Sequence, residues 1–248
     1  MLEEPIELEY RGKTILGIKH HANSMCKKPC VIFVHGIPGD RVDAKRLHVK
    51  IARKIQEQGF SSVRFDFLAY GVSPGNSYEY TLLDQLNQIK RIINKVVTYG
   101  DNDGKVILIA FSEAAKIAAK IAMQDKRVVG LCFCNGIITE EKETIKINRF
   151  YKEAGHLVYD INYGVWLNKK IIEESKEYTI SLENLIELNN IVGIYGYGDE
   201  LVINSLKLLK RAHKKVILIS GADHLYTRYD WEVALINNLM DYLKSYNK

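Results

Sequence analysis

Apolar residues in this chain fall into short unbroken runs, separated by longer stretches where they recur every three or four positions. The runs are Val31 to Val34, Ser62 to Phe67, Val106 to Ile109, Val128 to Cys134, Ile191 to Gly196 and Lys215 to Ile219. Such runs are what strands covered on both faces require. The stretches Asp43 to Gln58, Thr81 to about Val97, Ala115 onward, Leu201 to Ala212 and Trp231 to Tyr246 have the period of helices. Ahead of them, Ile6 to Tyr10 and Thr14 to His20 flank Arg11-Gly12-Lys13, which predicts a hairpin at a sheet edge. Strands alternating with helices predict an α/β chain with a mostly parallel sheet and helices on both faces.

The exception to the alternation runs from Ile137 to Asn190, too long for an ordinary connection. It has polar runs at Thr139 to Lys146 and Lys169 to Glu177 around Phe150, Tyr151, Tyr159, Tyr163 and Trp166. The expectation is one domain over residues 1–248, with a cap inserted at about 137–190 over the strand ends.

Composition narrows the function. The 248 residues, 47% hydrophobic and 26% charged, suffice for one large domain burying roughly three quarters of its unfolded surface. The formal charge of +5 is spread among acidic residues without a block of one sign, which argues against nucleic acid as a partner. No apolar run approaches the roughly 18 residues of a membrane span, and Met1-Leu2-Glu3-Glu4-Pro5 lacks a secretory pattern, so the expectation is a cytoplasmic protein without a membrane partner. Cys132 and Cys134 read as small hydrophobes of a core strand. Cys26 and Cys30 have His20 and His21 nearby but no second ligand pair at zinc spacing, so they read as loop thiols and no metal is expected.

The candidate chemistry sits where strands end. Val106 to Ile109 leads through Ala110-Phe111-Ser112-Glu113-Ala114 into a helical stretch. Small residues on both sides of a serine at such a corner let the strand turn sharply and leave its hydroxyl at the carboxyl edge of the sheet; a serine opening a helix is also an ordinary N-cap. A hydroxyl nucleophile needs a base, and the base needs a group that fixes its tautomer. Asp199, after the strand ending at Gly196, and His224, after the one ending at Ile219, supply both in the chain order this type of turn predicts. Glu200 and Asp223 are the nearest substitutes for the acid. His35 reads as a loop-shaping residue, and His20, His21, His48, His156 and His213 as solvated or locally bonded.

With VIFVHGIPGD, VRFDFLAYGVSPG, LIAFSEAA, IYGYGDELV and GADH, the chain resembles the α/β-hydrolases over nearly its whole length. The likeness is to the cinnamoyl or feruloyl esterase and serine-aminopeptidase-like branch. The resemblance implies an oxyanion hole built from the backbone N–H groups of Ile37 and Glu113, a structural role for the Asp66 to Ser73 loop, and a short lid in which Gly155 to Leu167 forms a hairpin. Tyr159, Tyr163 and Trp166 would there line the acyl or aromatic part of a substrate. The expected reaction is cleavage of a carboxylic ester through an acyl-serine, without cofactor. Thioesterase, acyltransferase, peptidase and non-catalytic binding roles are the rivals on this scaffold. The expected partner is a small-molecule ester or acyl substrate, with at most a second copy in a homodimer. Three residues depart from the common pattern: Tyr70 stands for a polar or small residue, Phe111 for a frequent histidine and Glu113 for glutamine or methionine. The Glu113 carboxylate would weaken oxyanion binding unless it meets a hydrogen-bonding or cationic partner.

Overall fold

The structure, a computed structural model, describes residues 2–22, 27–140, 150–153, 155–160 and 165–247. Eight strands form one sheet in the order β1 (Glu3–Tyr10), β2 (Lys13–His20), β4 (Ser62–Phe65), β3 (Cys30–Val34), β5 (Val106–Phe111), β6 (Val128–Cys134), β10 (Ile191–Gly196) and β11 (Lys215–Ile219). The first two pair antiparallel as the expected edge hairpin, and from β4 to β11 every neighbour is parallel.

The period of two sorts each strand between two cores. Val106, Leu108 and Ala110 pack on one side with α2 (Leu82–Val96) and α3 (Ala114–Gln124). Ile107, Ile109 and Phe111 pack on the other with α1 (Leu47–Glu57) and α7 (Tyr229–Lys244). A strand buried on both faces has no polar side to spare, which is why the central strands read as unbroken apolar runs. The helix boundaries differ in places from the periodic pattern. Before α1 the chain makes a 3-10 turn, Ala44–Arg46, with Asp43, Lys45 and Arg46 at positive φ and the Asp43 carboxylate accepting the Ala44 N–H. Asp199 likewise caps a 3-10 turn, Glu200–Val202, ahead of α6 (Ile203–Arg211).

Between β6 and β10 the chain leaves the sheet. It builds a three-stranded antiparallel sheet from β7 (Phe150–Glu153), β8 (His156–Asp160) and β9 (Trp166–Asn168), followed by α4 (Lys169–Glu177) and α5 (Leu182–Glu187). This segment rests on the loop before α2. The Ser77 hydroxyl donates to the Trp166 carbonyl at 2.7 Å, Asn168 Nδ2 to the Tyr78 carbonyl at 2.8 Å, and the Leu83 N–H to Glu174 at 3.1 Å.

One sequence expectation is corrected. Cys30 is no loop thiol: it opens β3, fully buried, and burial pushes its thiol up to about 12; Cys26 lies outside the described residues. Of the two states expected for His20 and His48, solvated or locally bonded, the second applies: both are wholly buried, His48 Nε2 lying 3.2 Å from Asp43 Oδ2, and burial pulls both pKa values down to about 4. His20 accepts from Arg64 Nε at 2.9 Å, and His48 stacks between Phe33 and Phe111. Among the described residues no helix is long and apolar enough to cross a membrane.

Candidate active site

β5 turns into α3 at Ser112, whose φ of +53° is a left-handed conformation that a non-glycine residue adopts only where its surroundings impose it. The surroundings are visible: the Ser112 N–H donates to the Cys134 carbonyl at 3.2 Å, and the Ser112 carbonyl accepts from Ile137 at 2.9 Å and Ala115 at 3.1 Å. The loop after β3 presses on the same corner. A Cβ added at Gly36 would stand 2.9 Å from the Ser112 Cβ and 3.1 Å from the Phe111 carbonyl. Only glycine fits there without displacing the serine.

The loops after β10 and β11 deliver the other two groups. His224 Nε2 lies 2.9 Å from Ser112 Oγ, and His224 Nδ1 lies 2.7 Å from Asp199 Oδ2. Asp199 is buried, and its other oxygen accepts the Leu201 N–H at 3.0 Å. With Nδ1–H donating to the carboxylate, Nε2 is left with its lone pair toward the serine hydroxyl. The two substitute acids are placed elsewhere: the Asp223 carboxylate caps its own turn, accepting from Leu225, Thr227 N–H and the Thr227 hydroxyl, and Glu200 is exposed in the 3-10 turn. The two loops are laced together as well. Tyr197 N–H donates to the Ile219 carbonyl, and Gly198 N–H to the Ala222 carbonyl.

Glu113 follows the serine in the chain and Ile37 lies in the β3 loop next to Gly36, and among the described residues neither backbone N–H finds an acceptor. His35 shapes this loop as the sequence suggested. Its ring is buried, Nδ1 donating to the Gly36 carbonyl at 2.9 Å and Nε2 accepting the Phe67 N–H at 3.1 Å; burial pulls its pKa down, so it is held neutral in that tautomer. The neighbouring loop hangs on Asp66, buried, which accepts the Arg41 N–H at 2.6 Å, the Val72 N–H at 2.8 Å and the Arg41 guanidinium.

The Glu113 carboxylate has the cationic partner it needed. Lys116 Nζ lies 3.3 Å from it, and that lysine, only 3% exposed, also donates to the Ser175 hydroxyl on α4 at 2.7 Å. α4 and the start of α3 are thereby joined through one buried ammonium. The spacing of Glu113 and Lys116 on a helix start was a legible signal for this pair. Asn135, just past β6, carried no such signal: it reads only as a polar residue ending an apolar run, yet it reaches the His224 loop.

The expected lining residues are placed less directly. Tyr159 is 4% exposed on β8 and Trp166 39% exposed on β9, while Tyr163 lies outside the described residues. A cleft of about 610 Å³ opens between the segment inserted after β6 and the loops before α2, lined by Arg11, Asp84, His156, Asn168 and Glu174 among others; none of Ser112, Asp199 or His224 lines it.

A mostly parallel sheet, a serine at a sharp strand-to-helix turn and a histidine bonded to an aspartate after later strands define the class as an α/β-hydrolase type of protein. The chain belongs to the α/β-hydrolase fold family, whose model matches residues 29–163, and this places it among the hydrolases. No curated protein matches the sequence significantly. Among solved structures it is similar in fold to Est1E from Butyrivibrio proteoclasticus with ferulic acid bound, at 15% identity over 97% of this chain and 98% of that one, TM-score 0.79. It is similar also to the esterase domain of a Rhodothermus marinus protein, at 16% identity over 99% of each chain, TM-score 0.73. A thioesterase domain from the curacin biosynthetic pathway matches at 17% identity over 97% of this chain and 100% of that one, TM-score 0.70.

Proposed function

We propose that the protein is a serine hydrolase that cleaves a carboxylic ester through an acyl-serine. The observation that carries this reading is the hydrogen-bonded series from Ser112 Oγ through His224 to Asp199. His224 Nε2 takes the hydroxyl proton as Oγ attacks the ester carbonyl. Asp199 keeps the ring in the required tautomer and offsets the charge it gains. The carbonyl oxygen becomes an oxyanion between the Ile37 and Glu113 amides, which have no acceptor among the described residues to give up. His224 then returns the proton to the departing alcohol, and in the second half it deprotonates water that attacks the acyl-serine.

Placing the negative carboxylate of Glu113 next to this oxyanion would oppose the reaction, and the Lys116 ammonium offsets it. The acyl group is proposed to be apolar or aromatic, held beneath a cap that spans about residues 137–190. Tyr159 and Trp166 in the cap sheet support this, as does a protein of the same fold solved with ferulic acid, an aromatic carboxylic acid. A thioester substrate is the second reading, favoured by the thioesterase domain among the fold neighbours, because a thioester forms the same acyl-serine.

The test is hydrolysis of p-nitrophenyl esters from acetate upward, with an aromatic acyl ester and an acyl thioester in parallel, on wild type and Ser112→Ala. The expected result is turnover that falls by several orders of magnitude in the mutant, with the aromatic or longer acyl esters preferred. Turnover that survives in Ser112→Ala overturns the mechanism, and thioester turnover without ester turnover moves the substrate to the second reading.

A further inference from the structure

We propose that Asn135 sets the register of the His224 loop against the Ser112 turn and is a positioning residue for the acyl transfer proposed above, the reading on which this inference rests. Asn135 follows β6 at φ +43°, a conformation asparagine tolerates better than most residues, and is 1% exposed. Its Nδ2 donates to the carbonyls of Asp223 and His224, each at 3.0 Å, and its Oδ1 accepts the Gly196 N–H at 2.7 Å. Two carbonyls on one side and an N–H on the other leave one possible orientation of the amide.

The backbone around Asn135 grips the serine. Cys134 accepts from the Ser112 N–H and Ile137 donates to the Ser112 carbonyl, so the residues from Cys134 to Ile137 hold the nucleophile by both of its peptide groups. The Asn135 side chain, projecting from the same four residues, holds the backbone of the base. Other bonds of the His224 loop run elsewhere: Gly198 N–H to the Ala222 carbonyl and the Tyr226 hydroxyl to the Ile194 carbonyl tie it to β10 and to the loop after it that carries Asp199, and Lys45 Nζ donates to the Tyr226 carbonyl at 2.6 Å. The distance from His224 to Asp199 is thus fixed several times over without Asn135. Toward Ser112, β10 reaches only through the sheet, whereas the Asn135 amide ties the His224 backbone directly to the segment that bonds the serine.

The chain supplies its own control. Asn102, also buried, donates from Nδ2 to the Val96 and Tyr99 carbonyls at 2.8 and 3.2 Å and accepts the Gly104 N–H at 2.9 Å, at the opposite edge of the sheet before β5. Asn102→Ala removes the same set of bonds far from Ser112.

The experiment compares wild type, Asn135→Ala, Asn135→Asp and Asn102→Ala by the rate of labelling with a fluorophosphonate probe, by ester kcat and KM, by Tm, and by the downfield proton resonance of His224 Nδ1–H. Misplacing a catalytic group by about 1 Å costs about 100-fold. The expected result is labelling and kcat about 100-fold lower in Asn135→Ala, KM within twofold of wild type, and the Nδ1–H resonance retained. Asn102→Ala loses comparable Tm and keeps its rate. Asn135→Asp keeps the shape and the acceptor for Gly196 while turning an oxygen toward two carbonyls, so it is as slow as Asn135→Ala and carries the comparison if the alanine variant does not fold. A wild-type rate in either folded Asn135 variant overturns the inference. So does loss of the Nδ1–H resonance together with the rate, which would put the damage in the Asp199–His224 pair. A folded wild type that neither labels nor turns over overturns the hydrolase reading and this inference with it, whereas a labelled wild type with an equally labelled Asn135→Ala overturns this inference alone.

Discussion

Gly36→Ala replaces a hydrogen by a methyl group at the point where the β3 loop meets Ser112. The added Cβ would lie 2.9 Å from Ser112 Cβ and 3.1 Å from the Phe111 carbonyl, against an ordinary contact of 3.4 Å or more, so about half an ångström of movement is required. The serine cannot yield easily, because both of its peptide groups are bonded to the segment after β6. The loop must therefore move, and with it the Ile37 amide. Removal of one oxyanion donor costs about 2.7 to 4 kcal/mol of barrier. A half-ångström displacement is a fraction of that, which predicts kcat about 10- to 100-fold lower, or about 1.4 to 2.7 kcal/mol. Overpacking itself costs about 1 to 3 kcal/mol of stability, which for a chain of this length lowers Tm by about 2 to 4 °C per kcal/mol. The assay is kcat and KM on the best ester together with a thermal melt of the same sample. A variant with wild-type kcat would refute the argument, because it would show that the loop and the serine are not in the contact described.

Asp199→Asn, which keeps the shape but not the tautomer it imposes on His224, is expected to lower kcat by about 10⁴-fold with little change in melting; steady-state rates and a melt check it. Lys116→Met takes the cation from the Glu113 carboxylate beside the proposed oxyanion and leaves it only the Ser175 hydroxyl, so kcat/KM should fall about tenfold and be restored in the Lys116→Met, Glu113→Gln double variant; strictly additive losses in the cycle would count against the pairing. Acid should destabilise the fold through His20 and His48: both are held neutral by burial with pKa about 4, against 6.5 for the ordinary side chain. Between those values the unfolded chain binds protons the folded chain refuses, so stability falls as pH drops from about 6.5 to 4, by about 3 kcal/mol for each residue at the lower limit. Denaturant melts across that range should flatten in His48→Phe, which can keep the stacking on Phe33 and Phe111; an unchanged slope would rule the residue out.

How much of this was legible beforehand differs by kind of feature. The alternation of strands and helices could be read off, because a strand buried on both faces must be apolar throughout and a covering helix must repeat its apolar face. β6, β10 and β11 begin and end where the apolar runs do. Ser112, Asp199 and His224 stood out because strand ends and turns leave marks in the adjacent residues. Boundaries shifted where side chains cap the backbone, as Asp43 and Asp199 do.

Other features exist only once strands that are distant in the chain become neighbours. Periodicity reports which face of an element is covered, and says nothing of what covers it. The choice of Asp199 over Asp223 depended on where each carboxylate finds its donors. That Gly36 touches Ser112 follows from β3 lying next to β5, and that Asn135 reaches His224 follows from β6 lying next to β10. The burial of His20, His48 and Cys30 was hidden for the same reason: two of them end or open a strand and one lies in a helix, and neither place shows that neighbouring helices and strands close over it. Local chemistry is written in adjacent residues, while the register between loops is a property of the sheet that holds them.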